Sequence, residues 1–141
     1  MHTTNYANTF ITVAPDCTAT LAVVPKEAAT PSAALRTFRM ISDRPYHYTS
    51  DDVIFTVYAD RNEIAKSERK AAREQFFSKG QACLRSSDLG KRYGWGIHSD
   101  SEGRVALYGV ETKEYKTLAS GKGLGRNASA VTVKAAMRSR R

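Results

Sequence analysis

Arg92-Tyr93-Gly94-Trp95-Gly96-Ile97-His98, with the turn at residues 99–103 and the return at residues 104–110, decides the fold of this chain. Successive side chains of a strand point to opposite faces. Tyr93, Trp95 and Ile97 therefore share one face, and Arg92, Gly94, Gly96 and His98 the other. A five-residue turn pairs His98 with Arg104, Gly96 with Ala106, Gly94 with Tyr108 and Trp95 with Leu107. This register gathers Trp95, Ile97, Val105 and Leu107 into a core-facing set, each worth roughly 1.5–3 kcal/mol on burial. The reverse face is unusual because two glycines leave almost nothing above the backbone, and a strand glycine commonly marks a bend or a close approach.

Residues 81–86 read as a third strand beside this hairpin, with Ala82 and Leu84 inward and Cys83 and Arg85 on the polar face. The polar face then forms a shallow depression lined by Arg85, Arg92, Gly94, Gly96, His98, Arg104 and Tyr108. Guanidinium groups offer planar donor forks that match carboxylate or phosphate oxygens, and histidine adds a donor or a proton. The competing reading is structural: the Tyr108 ring covers Gly94, and Arg92 and Arg104 pair with Asp88 and Glu102.

Outward from the hairpin, residues 5–13 read as a strand ended by Pro15, and residues 14–31 as a proline-rich loop. Thr30 and Pro31 open a helix in which Leu35, Phe38 and Ile41 recur at helical spacing up to Pro45. Thr49 and Asp52 have capping-box spacing, and Val53, Ile54, Val57, Tyr58, Arg61 and Ile64 follow a 3.6-residue period. The β-branched run at 53–58 also fits a strand, and helix is the reading adopted. Residues 66–77 form a helix closed by Gly80, and residues 111–119 a short helix with Tyr115 and Leu118 inward. Residues 130–137 alternate Val131, Val133, Ala135 and Met137 as a final strand with an exposed edge that would suit a homodimer. The sum is an α+β domain over residues 1–141, an antiparallel sheet of about four to five strands with three to four helices on one side.

The chain has 141 residues and a net charge of +8, distributed unevenly. Residues 1–60 hold four cations and six anions, residues 61–92 nine cations and four anions, and Lys134, Arg138, Arg140 and Arg141 close the chain. Such clustering suits an anionic partner, and residues 138–141 read as a flexible basic tail. No apolar run reaches the ~20 residues of a membrane helix, and no secretory signal opens the sequence, so no membrane partner is expected and the cytoplasm is the expected compartment. Cys17 and Cys83 read as free thiols.

Other motifs are weaker. The glycine-rich 121–127 segment follows a helix and precedes a strand, the wrong order for a phosphate loop. His2, His47, His98, Cys17 and Cys83 lack ligand spacing, so neither a metal nor another cofactor is called for. Cys83 and His98 would make a nucleophile and base if the strands brought them together. Tyr46, His47 and Tyr48 form either a recognition surface or a loop packed by two rings.

Six strings carry a resemblance: residues 1–6, residues 48–53 with Thr49-Ser50-Asp51-Asp52-Val53, residues 76–81, residues 83–86, Lys91 to His98, and residues 134–138. With them the chain resembles a family of small uncharacterised bacterial proteins classed as a domain of unknown function. It departs from that pattern in the alanine-rich 28–34 segment and the glycines at 121–125. The resemblance implies a stand-alone cytoplasmic domain and no particular activity. The residues themselves favour a protein that binds an anionic small molecule or acidic peptide on the Arg/His face. A small enzyme using Cys83 or His98, and weak nucleic-acid binding through the middle helix and tail, are the alternatives.

Overall fold

In the computed structural model, which describes residues 1–139, the hairpin strands are β2 (Trp95–Ser99) and β3 (Val105–Gly109). They join β1 (Thr9–Thr12) and β4 (Thr132–Ala135) in a four-stranded sheet of order β3-β2-β1-β4. β1 runs antiparallel to β2 and parallel to β4. The sheet is thus mixed, not purely antiparallel as expected from the sequence. The parallel pair joins residues more than a hundred positions apart, beyond the reach of any local pattern.

Among the described residues five helices accompany the sheet: α1 (Ala33–Asp43), α2 (Ser50–Arg61), α3 (Arg69–Phe76), α4 (Asp88–Lys91) and α5 (Lys113–Ala119). α1 begins two residues later than Pro31 suggested, because the Ser32 hydroxyl, not Thr30, accepts from Leu35 N at 3.1 Å. α2 carries the expected capping box: Thr49 Oγ1 accepts from Asp52 N, and Asp52 Oδ2 accepts from Thr49 N. Residues 53–58 are helical, and a 3-10 turn over Lys66–Glu68 leads into α3.

The strand expected at residues 81–86 does not form. Leu84–Ser86 is a 3-10 turn, and α4 follows at once. Serine chemistry decides this: Ser86 Oγ donates to Cys83 O at 2.7 Å, and the Ser87 hydroxyl caps α4 by accepting from Leu89 N. Short hydroxyl side chains that bond their own backbone favour turns over ladders. β4 also departs from expectation. No residue of β4 is buried: Val131 and Ala136, which flank it, are buried, while Val133 and Met137 are exposed.

The sheet's two side-chain sets belong to separate clusters. Ile11, Ile97 and Val105 pack with Ile41 of α1 and with Val53 and Val57 of α2. Phe10 packs instead with Tyr115 and Leu118 of α5 and with Val131. The Phe10 and Tyr115 rings meet edge to face at 5.1 Å, a geometry worth about 0.5–1.5 kcal/mol beyond the area it buries. A third cluster joins Phe55 and Ala59 of α2 to Phe77. The N-terminal segment is tied to the start of α2: Thr4 N and Thr4 Oγ1 donate to Asp51 Oδ1, and Thr3 Oγ1 donates to Oδ2, all within 2.7 Å.

Candidate functional site: a tyrosine–histidine chain beside an edge-strand cleft

The hairpin keeps the face assignments read from its sequence but pairs two residues further on. Trp95 faces Gly109, Gly96 faces Tyr108, and His98 faces Ala106. The five-residue turn spans 100–104, where Asp100 Oδ1 accepts from Glu102 N and Arg104 N and Gly103 takes φ 79°. An even shift preserves parity. Gly96, His98, Ala106 and Tyr108 therefore still share the face opposite Ile97 and Val105.

That face is not an open depression. A side-chain carbon on Gly96 would lie 2.8 Å from Tyr115 Cε2 and 2.9 Å from Phe10 Cε1. Two aromatic rings fill the space that the glycine vacates. Gly94 precedes the strand at φ 80°, with Leu21 O and Ala19 packed above it. The loop at 19–22 covers it, and Tyr108 stands opposite Gly96 instead.

The predicted arginines separate. Arg85 sits on the 3-10 turn and closes one end of β4: its Nε donates to Ala135 O and its carbonyl accepts from Met137 N, both at 2.7 Å. Arg92 caps α4 rather than occupying a strand, and its guanidinium lies 3.9 Å from Asp88. Arg104 stays by the hairpin, with Nη1 donating to His47 O and Nε 3.3 Å from Glu102. Cys83 and His98 have different partners: Cys83 Sγ lies 3.5 Å from the Tyr6 hydroxyl, and His98 bonds Tyr46. The bond to Cys83, together with burial, holds the Tyr6 hydroxyl above its ordinary value. Of the cationic tail, Arg138 is exposed, and Arg140 and Arg141 lie outside the described residues.

What the structure does bring together is His98 and Tyr108, through a third residue. The Tyr46 hydroxyl lies 2.8 Å from His98 Nδ1 and 2.7 Å from the Tyr108 hydroxyl. Tyr46 reaches this place from a left-handed backbone, φ 57°, which is uncommon for a bulky residue and tends to occur where surrounding structure imposes it. The imposing contacts are with the outer edge of β3. Tyr46 N donates to Val105 O and Val105 N donates to Tyr48 O, each at 2.9 Å. Ala106, small and directly opposite His98, leaves room for the ring.

Burial sets the electrostatics. His98 is 9% exposed, and desolvation lowers its pKa against the raising influence of Asp100. Burial, with the Tyr108 hydroxyl beside it, pushes the Tyr46 hydroxyl far above the ordinary tyrosine range. His98 and Tyr46 are therefore neutral at neutral pH, and the protons of this hydrogen-bonded chain have two orders. With the proton on His98 Nδ1, that nitrogen donates to Tyr46, Tyr46 donates to Tyr108, and the Tyr108 O–H is free to donate outward. With the proton on Nε2, both hydroxyls turn round and Tyr108 presents only lone pairs.

Tyr108 also lines a cleft of about 240 Å³ with Phe38, Ile41, Pro45, Trp95 and Leu107. The Phe38 and Trp95 rings lie 5.2 Å apart, and the indole N–H donates to Val23 O at 2.9 Å. The cleft follows the outer side of β3, the edge strand of the sheet. Ser42 also lines it, and an apolar wall with a few polar groups is the usual form of a small-molecule site. The sequence marked His98 and Tyr108 individually. Tyr46 was legible only as one ring of the Tyr46-His47-Tyr48 run, because its role depends on a contact 52 residues away.

These features define an α+β protein with a mixed four-stranded sheet and an edge cleft. The chain belongs to a family of unknown function, DUF6157, whose model matches residues 1–141. Nothing among curated proteins or solved structures matches it.

Proposed function

We propose that the protein binds a small molecule with an apolar body and an anionic end, the body in the Phe38–Trp95 cleft and the acceptor oxygen on Tyr108. The observation that carries this reading is the Tyr46 hydroxyl bonded at once to His98 Nδ1 and to Tyr108, a residue that also lines an apolar cleft. A carboxylate accepts from Tyr108 and selects the proton order in which His98 Nδ1–H drives the chain outward. Protonation of His98 enforces the same order, so binding tightens as pH falls through the lowered His98 pKa. Of the predicted guanidinium groups, Arg104 alone bonds the 46–48 run, donating to His47 O, and it is paired with Glu102.

The test is a thermal-shift panel of indole-3-acetate, benzoate and hexanoate against their amides. Carboxylates are expected to raise Tm and amides to do so less. Tyr108→Phe is expected to erase the difference, while Arg85→Ala and Arg92→Ala leave it in place. No shift with any carboxylate, or a shift indifferent to Tyr108→Phe, rejects the reading.

A further inference from the structure

α2 is apolar on more sides than a surface helix needs. Val53 and Val57 turn to the first core cluster, and Phe55 and Ala59 to the third. Ile54, half-buried against the first cluster, and Tyr58, 41% exposed, border a further flank. A helix hydrophobic nearly all round belongs in an interior. Here one flank faces a groove instead. Three cavities of about 260, 490 and 430 Å³ run into one another along it. Ile54, Val57 and Ala82 belong to both the first and the second, and Tyr58, Phe76 and Gln81 to both the second and the third.

Charge distinguishes the two ends of this groove. Arg61 lines the middle cavity and Lys79 the last. Neither enters an ion pair among the described residues, whereas their neighbours Arg69 and Arg73 are paired with Asp60 and Asp52. Asp88 stands at the opposite end. We infer that this groove docks a peptide segment with apolar anchors and acidic residues, the anchors on Ile54, Tyr58 and Phe76 and a carboxylate on Arg61 or Lys79. An amphipathic segment laid into an apolar groove is an established recognition mode, and unpaired cations at its rim select acidic partners. Nucleic acid fits less well. The Tyr58 and Phe76 rings pack on each other at 4.6 Å rather than standing apart as base platforms, the floor is aliphatic, and Asp88 repels phosphate.

Selection of a phage-displayed random 12-residue library on the full chain tests this, with the Arg61→Glu, Lys79→Glu double variant as a parallel target. Enrichment of peptides combining Leu, Phe or Trp with Asp or Glu is the expected result. The double variant, altered only at exposed cations, is expected to select basic peptides instead. Fluorescence polarisation of the consensus peptide is expected to weaken by about tenfold or more in Ile54→Gln and in Tyr58→Asp, a loss of hot-spot size. Tyr108→Phe is expected to leave it unchanged, which separates this groove from the cleft at β3. Four results overturn the inference: no enrichment, the same peptides on both targets, tighter binding of a 20-residue oligouridylate, or a concentration-dependent dimer abolished by Tyr58→Asp.

Discussion

The junction at Asp51 and the chain at Tyr46 are both networks of short hydrogen bonds between distant segments, and they differ in direction. At the junction three donors converge on one carboxylate. Thr3 Oγ1, Thr4 N and Thr4 Oγ1 all donate to Asp51, and Asp51 N in turn donates to Asn5 Oδ1. Three donors that share one acceptor tie the N-terminal segment to the start of α2, so this network fixes structure. In the Tyr46–His98–Tyr108 chain each atom can donate or accept, and Tyr108, its last residue, also lines a cleft. Reversible direction and an open end are what a responsive site needs. The comparison also gives two of the resembling strings a structural content, since residues 1–6 and 48–53 are the two halves of the junction.

The largest effect that tests this contrast is Asp51→Ala. It strands a buried backbone N–H and two hydroxyls that now bond a charged group, and a loss of about 3–4 kcal/mol is expected in urea unfolding. Next is Gly96→Ala, which forces a methyl against Phe10 and Tyr115 and is expected to cost roughly 1–3 kcal/mol. An open ligand depression at that position would tolerate the methyl without loss. Tyr46→Phe keeps the ring and removes only the central hydroxyl, so about 1 kcal/mol is expected. A loss equal to that of Asp51→Ala would mean that the chain is as structural as the junction.

The smallest effect concerns pH. Burial lowers the folded-state pKa of His98, so the unfolded chain takes up its proton first as pH falls. The stability His98 contributes is complete above its ordinary value of about 6.5 and is lost below it. Burial would raise the carboxyl of Asp52, but the Thr49 backbone N–H and the Arg73 guanidinium outweigh burial and lower it. Its contribution is present above the ordinary carboxylate range and fades only in stronger acid. Melting temperatures from pH 8 to 5 are expected to fall for the native chain and to stay flatter in His98→Gln. Parallel curves would remove His98 as the group responsible.

Local chemistry was what the sequence made legible. Thr49 and Asp52 are three residues apart, and their spacing alone located the start of α2. Alternation assigned the faces of Ile97 and His98 correctly, although the turn lay one residue later than read, because parity survives an even slip. Long-range partners were not legible. Nothing near Gly96 announces that Phe10 and Tyr115 will cover it, and nothing near Ala135 announces Arg85. Residues 81–86 misled for a related reason. Leu84 has the hydrophobicity of a strand residue, yet Ser86 and Ser87 spend their hydroxyls on local turns. The Arg/His depression failed on both counts, since it required a strand that does not form and a vacancy that rings from β1 and α5 occupy.

The parallel pairing of β1 with β4 has a consequence for biosynthesis. Phe10 and Ile11 leave the ribosome more than a hundred residues before their partners Val133 and Lys134 are made. Until then one margin of β1 has no ladder to join. A chain halted before residue 132 therefore presents that margin to any extended peptide nearby, and the nascent protein is most prone to wrong pairing in the interval before β4 emerges.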